Sequence, residues 1–249
     1  DATAPREAFA RWGLGAKDLQ GELTWLQLSE MRERRTGTTH AAARAGSEAR
    51  ALILKHGPEW SRQVLTMASE PRFFRGFVEA VTLDAPTFLT RAAELYAMAP
   101  IRSINFVDAA ADLEAIAGSP HVARLVALQF TNKSGVSALG DAGLRTLAAS
   151  PHLSKLAILH LPSNKIGRPG IEALAASKGL PNLRYVSLGD NLVDSPVEEY
   201  AIDGMSGEIN NNSIALPEFG RELEAKYGRL RWLHAPSESR FFPPDERDF

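Results

Sequence analysis

Ser150-Pro151-His152-Leu153-Ser154-Lys155-Leu156-Ala157-Ile158-Leu159-His160-Leu161-Pro162-Ser163-Asn164 and, 27 residues on, Ser177-Lys178-Gly179-Leu180-Pro181-Asn182-Leu183-Arg184-Tyr185-Val186-Ser187-Leu188-Gly189-Asp190-Asn191 are two copies of one phrase. Each runs from a turn into apolar-x-x-apolar-x-apolar and ends on an asparagine. A third copy opens at Ser119-Pro120-His121 and continues through Leu125, Leu128 and Phe130, 31 residues before its counterpart Leu156. Two degenerate copies precede it, Ile101, Ile104, Phe106 and Val78, Val81, Leu83. A fixed period of this kind decides an architecture, because each repeat is one unit that buries its apolar face against the next.

Between the strands the sequence reads as helix. Gly140-Asp141-Ala142-Gly143-Leu144-Arg145-Thr146-Leu147 matches Gly167-Arg168-Pro169-Gly170-Ile171-Glu172-Ala173-Leu174, again 27 residues on. Asp141 is placed to cap the first of these helices, and Pro169 suits the first turn of the second. Asn164 and Asn191 are expected to be structural, turned inward onto backbone groups freed where the chain leaves a strand. The reading is an α/β solenoid of about five rungs, a parallel strand ladder with outer helices, over residues 77–195.

Residues 1–76 read as a helical region in front of it. Asp18 to Arg35 carries Leu19, Leu23, Leu26 and Met31 at helical spacing, and residues 39–56 form a second helix that Gly57 ends. Pro58 and Trp60 then open a short helix with Val64 and Leu65, and Pro71 to Gly76 is a link. Residues 196–249 form a C-terminal hairpin, helix and cap: a hairpin through Val197 to Ile209, a helix from Pro217 to Tyr227 stopped by Gly228, a segment Leu230 to Pro236 covering the last strand, and a polar tail.

The phrase from Leu156 to Asn191 resembles the ribonuclease-inhibitor-like class of leucine-rich repeats. The N-terminal block resembles the bacterial repeat-companion domain that precedes degenerate leucine-rich repeats. The residues that carry this second likeness are Trp12, Asp18-Leu19-Gln20-Gly21-Glu22-Leu23, Leu26-Gln27-Leu28, Leu54-Lys55-His56-Gly57 with Trp60, and Arg75-Gly76-Phe77-Val78-Glu79. The eleven residues ahead of Trp12 are fewer than that family usually carries. The resemblance implies an architecture and binding rather than a reaction.

Composition narrows the function. The 249 residues are 44% hydrophobic and contain no cysteine, which excludes disulfides, thiolate metal sites and cysteine nucleophiles. A net charge of −2 argues against a nucleic-acid binder, and the basic cluster Arg32, Arg34, Arg35 suits the end of a helix. No apolar run is long enough to cross a bilayer, and Asp1 to Arg11 lack a signal-peptide plan, so a cytoplasmic protein is expected. No two histidines have metal-ligand spacing, no glycine loop has a phosphate-loop ending, and Glu198-Glu199 reads as a solvated pair. Neither a metal nor a cofactor is expected.

The expected function is therefore a non-enzymatic protein-protein adaptor or scaffold, a possible component of a larger assembly, using the concave face of the ladder. Alternation along the strands turns Thr82, Asn105, Gln129, His160 and Ser187 outward in one row, beside Ser103, Ala127, Ile158 and Tyr185. Of these, Asn105, Gln129, Ile158, His160, Tyr185 and Ser187 are the candidate partner-binding residues, with Ile158 and Tyr185 as apolar anchors. The alternative is an enzyme or enzyme regulator whose functional residues, Asp18, Glu22 and His56, lie in the N-terminal block.

Overall fold

The computed structural model describes residues 4–135, 137–192 and 217–234. The hairpin, the Glu198-Glu199 pair and the polar tail expected from the sequence fall outside them. Among the described residues the protein is mixed α/β, with six strands, mostly parallel, and eight α-helices. It divides into two compact units, Asp1–Thr82 with Ala93–Ile101, and Leu83–Ala92 with Arg102–Phe249. Helix α4 (Ala85–Met98) contributes to both and is interrupted at Arg91, where φ is −129°.

The first unit is built on helices α1 (Ala4–Ala16), α2 (Leu19–Thr36) and α3 (Thr39–Trp60). Asp18 starts α2 by accepting from the Gly21 N–H at 2.7 Å, and Gly37, at φ +79°, ends it. Helices α1 and α2 cross backbone to backbone: a Cβ on Gly13 would lie 2.5 Å from Cα of Gly21. Gly57 does not end α3, contrary to the sequence expectation. The helix runs through Pro58 to Trp60, and the Ser61 N–H and hydroxyl both donate to the Gly57 carbonyl at 2.9 and 2.7 Å. Gly57 is there for packing, since a Cβ would meet Ile53 and Phe73 at 3.3 and 3.4 Å. Val64–Thr66 is one 3-10 turn rather than a third helix.

The expected link at Pro71 to Gly76 is a strand. β1 (Ser69–Phe74) pairs antiparallel with β2 (Phe77–Leu83), with Phe74 opposite Phe77. The two residues between them, Arg75 at φ +49° and Gly76 at φ +85°, make the left-handed pair that suits a two-residue hairpin turn. Strand β2 belongs to the first unit up to Thr82.

In the second unit β3 (Ser103–Val107), β4 (Ala127–Thr131), β5 (Ile158–His160) and β6 (Tyr185–Ser187) pair in parallel and in chain order. The register is one to one: Ile104 faces Leu128, Leu128 faces Leu159, and Leu159 faces Val186. All four are buried, as are Phe106, Phe130, Leu161 and Leu188 two residues further along. Phe106 meets Phe88 edge to face and stacks on Phe130, with ring centroids 5.1 and 5.5 Å apart. Burial contributes on the order of 1.5–3 kcal/mol for each large apolar side chain in such a column.

Helices α5 (Leu113–Gly118), α6 (Gly140–Ala148) and α7 (Arg168–Ala175) connect the strands. Gly143 has its neighbours so close that a Cβ would lie within 3 Å of Leu139 and Leu113. Helix α8 (Pro217–Tyr227) is stopped by Gly228 at φ +81°, and a 3-10 turn, Arg231–His234, packs on β6 with Trp232 buried and Leu233 half-buried.

Candidate functional site

Side chains repeated from strand to strand account for the bonding between neighbouring repeats. Asn164 donates to the carbonyls of Phe130 (2.9 Å) and Pro162 (2.8 Å) and accepts from the Leu139 N–H (3.2 Å). One period on, Asn191 donates to the Leu161 and Leu188 carbonyls (2.7 and 2.9 Å) and accepts from the N–H groups of Asn164 and Ile166 (3.0 and 2.9 Å). The serines that open each phrase form a second series. Ser150 donates to the Ala117 carbonyl (2.6 Å) and Ser177 to that of Ala148 (2.5 Å). Each also accepts from the N–H two residues on, as Ser119 does from His121. The sequence signal for these serines was their recurrence with the leucines.

Asp141 does not cap its own helix. It sits in the first turn of α6, and its Oδ1 accepts from the N–H groups of Gly167 (2.7 Å) and Gly170 (3.1 Å), so it caps α7 of the next repeat. Gly170 admits the carboxylate because a Cβ there would lie 2.6 Å from it. Left-handed backbone recurs with the same period: Ser163 and Asp190 both have φ of 55°. Strain of that kind often marks a functional site; its repetition here marks it as part of the architecture.

The face of the ladder opposite the leucines departs from expectation. Ser103, Ala127, Ile158 and Tyr185 do lie in register along one row, but that row is covered: Ile158 is 2% exposed and Tyr185 7%. Ala127, Ile158 and Tyr185 form a buried apolar cluster of their own. A parallel sheet buried on both faces reads as near-continuous apolar strands, which is how β3 to β6 are buried. Ile158 and Tyr185 therefore serve a second core and are not accessible anchors. Ser103 Oγ is buried there with no hydrogen-bond partner among the described residues.

The neighbouring row is polar. Asn105 is buried, while Gln129, His160 and Ser187 are half-buried. Thr131, which the sequence reading passed over, ties it together: its hydroxyl donates to Asn105 Oδ1 at 2.9 Å and accepts from Gln129 Nε2 at 3.2 Å. The His160 ring lies against Tyr185, centroids 5.2 Å apart. Thr82, in the first unit, is buried and donates to Glu70 at 2.7 Å.

In the first unit, Asp18 is engaged as a helix cap and His56 stacks on Trp60 at 5.5 Å, so both have structural work. The residues that carried the N-terminal resemblance meet at the hairpin turn. Gln27 donates to the Phe73 carbonyl and accepts from the Gly76 N–H, both at 2.7 Å, while Gln20 donates to the Gly76 carbonyl at 3.1 Å. Arg75 makes a two-pronged pair with Glu79, and Arg6, over the Phe77 ring at 4.0 Å, adds a third bond to Glu79 at 3.2 Å. Glu79 is 0% exposed.

Among the described residues no group of three or more histidine, aspartate or glutamate side chains is arranged to hold a metal ion, and no helix is long and apolar enough to cross a membrane. Comparison with protein-family models, curated proteins and solved structures finds no match.

Proposed function

We propose that the chain is a non-enzymatic protein-interaction module, an adaptor or scaffold whose second unit is a leucine-rich-repeat array of the ribonuclease-inhibitor-like kind preceded by a repeat-companion-like block. The repeated asparagines, serines and in-register leucines support the repeat reading, and the conjunction with the N-terminal motifs supports a bacterial, cytoplasmic origin. The observation that carries the functional reading is the half-buried polar row Gln129, His160 and Ser187, spaced one strand apart in register. Its groups are polar donors and acceptors held on strands, with no Lys or Arg among them, which suits hydrogen bonding to a partner's backbone or polar side chains more than recognition of nucleic acid or lipid. Tyr185, whose ring lies beside that of His160, supports it from the neighbouring row.

The test is a comparison of wild type with the triple variant Gln129→Ala, His160→Ala, Ser187→Ala. A partner identified by affinity purification from the native cell should be retained by the first and lost by the second, with matched circular dichroism. Equal affinity of both for the purified partner would reject this row as the contact.

A further inference from the structure

A cavity of about 390 Å³ opens between the last strand of the ladder and the C-terminal segment, and its rim is cationic. Arg184 enters it from the start of β6, and Arg229 and Arg231 from the turn that follows α8. The remaining lining is mixed, with Ser177 and Asn182 beside Leu174, Leu180 and Trp232. The volume falls within the range of small-ligand pockets, roughly 300–1,000 Å³.

Three guanidinium groups line one cavity, Arg229 and Arg231 at exposed positions and Arg184 half-buried, a set of donors suited to an anion. Among the described residues none of the three forms an ion pair with a carboxylate. Arg184 Nη1 has only long contacts to the carbonyls of Pro181 (3.4 Å) and Leu183 (3.5 Å). Partial burial, and then the nearby Arg231, hold Arg184 below its ordinary value. Glu224 feels the charge of Arg229, and its Oε1 accepts from the Leu230 N–H at 2.9 Å and lies 2.8 Å from His234 Nε2. Among the described residues the cavity thus gathers three cations and no carboxylate paired with them.

We infer that this cavity binds a phosphate monoester group, with Arg184, Arg229 and Arg231 on its oxygens and the organic part against Leu174, Leu180 and Trp232. A phosphate monoester carries close to two negative charges and three terminal oxygens, which matches three forked donors better than one carboxylate does. The cavity is larger than a bare phosphate needs, so the ester's organic portion has room. The site uses none of the residues of the proposed partner-binding row and does not depend on that reading.

Calorimetric titration of the full chain tests it with four probes: inorganic phosphate, O-phosphoserine, a phosphoserine peptide, and acetate as the singly charged control. Saturable binding of the phosphate probes, stronger than acetate, is expected, and Arg184→Gln should weaken it about tenfold or more. Arg231→Gln, at an exposed position, should do the same and guards against misfolding of the first variant. Preference for the peptide over O-phosphoserine assigns the group to a phosphorylated protein, and the reverse to a free metabolite. No saturation by any phosphate probe at tens of millimolar concentration, or equal affinities in wild type and Arg231→Gln, overturns the assignment.

Discussion

Glu79 is a carboxylate sealed from water and held by two arginines, and removing one partner of such a group leaves the others charged and buried. Glu79→Ala should therefore lower the stability of the first unit by about 3–5 kcal/mol, against well under 1 kcal/mol for removing the exposed Glu30–Arg34 pair. Denaturant unfolding of both variants measures the contrast; similar losses would mean that Glu79 is not the keystone its burial implies. Ser103 predicts the opposite sign. Its orphaned hydroxyl costs about 1–3 kcal/mol while buried, so Ser103→Ala should be neutral or stabilising, and a lower unfolding midpoint would show that the hydroxyl has found a partner. Both residues were named from the sequence, Glu79 within a motif and Ser103 within a row, but the burial that decides their energetics was not legible there. For Leu159 and Val186 it was, because each has a counterpart one period away. Tyr185 and Ile158 were placed on the correct face, but alternation says only which side a residue takes, and what covers that side is a tertiary fact.

At the scale of elements, β1 and the turn after it were read as a link because Pro71 and Gly76 look like loop punctuation, while β2 was read as a strand. The two are a strand pair because Gln20 and Gln27 of α2 bond their turn, a contact across some fifty residues that no local pattern reports. Helix α8, by contrast, was legible to the residue, having its own start and stop signals. The segment that follows it should respond to acid. Glu224 is held below its ordinary value by the Leu230 N–H, then by His234, with Arg229 adding to the effect. A lowered folded-state value means a stabilisation that is present above the ordinary carboxylate range and lost as pH falls through the folded value. Acidification below about pH 4 should therefore loosen the Arg231–His234 turn. Trp232 fluorescence, recorded with Trp12, Trp25 and Trp60 replaced by phenylalanine, follows it. Glu224→Gln should flatten the profile; an unchanged profile in that variant would assign the transition to another group.

For the whole molecule, the period itself makes a prediction. Excising Leu156 to Asn182, one full repeat, joins Lys155 to Leu183 and restores the phrase, so strand β4 meets β6 in the register it now shares with β5. The shortened chain should keep cooperative unfolding with proportionately less helix and strand, whereas excision of half that length should abolish it. Loss of cooperativity in both would show that the copies are not interchangeable units. The arginine cavity illustrates what a period cannot convey: Arg184 belongs to a repeat, Arg229 and Arg231 to the segment behind it, and only folding brings them to one rim. The asparagines carry a different consequence, concerning the lifetime of the molecule. Conversion of the Asn164 amide to a carboxylate by slow hydrolysis would set an anion against the oxygens of Phe130 and Pro162, turning a clasp into a wedge. Chemical ageing at that one nitrogen should begin the unravelling of the ladder long before any peptide bond is cut.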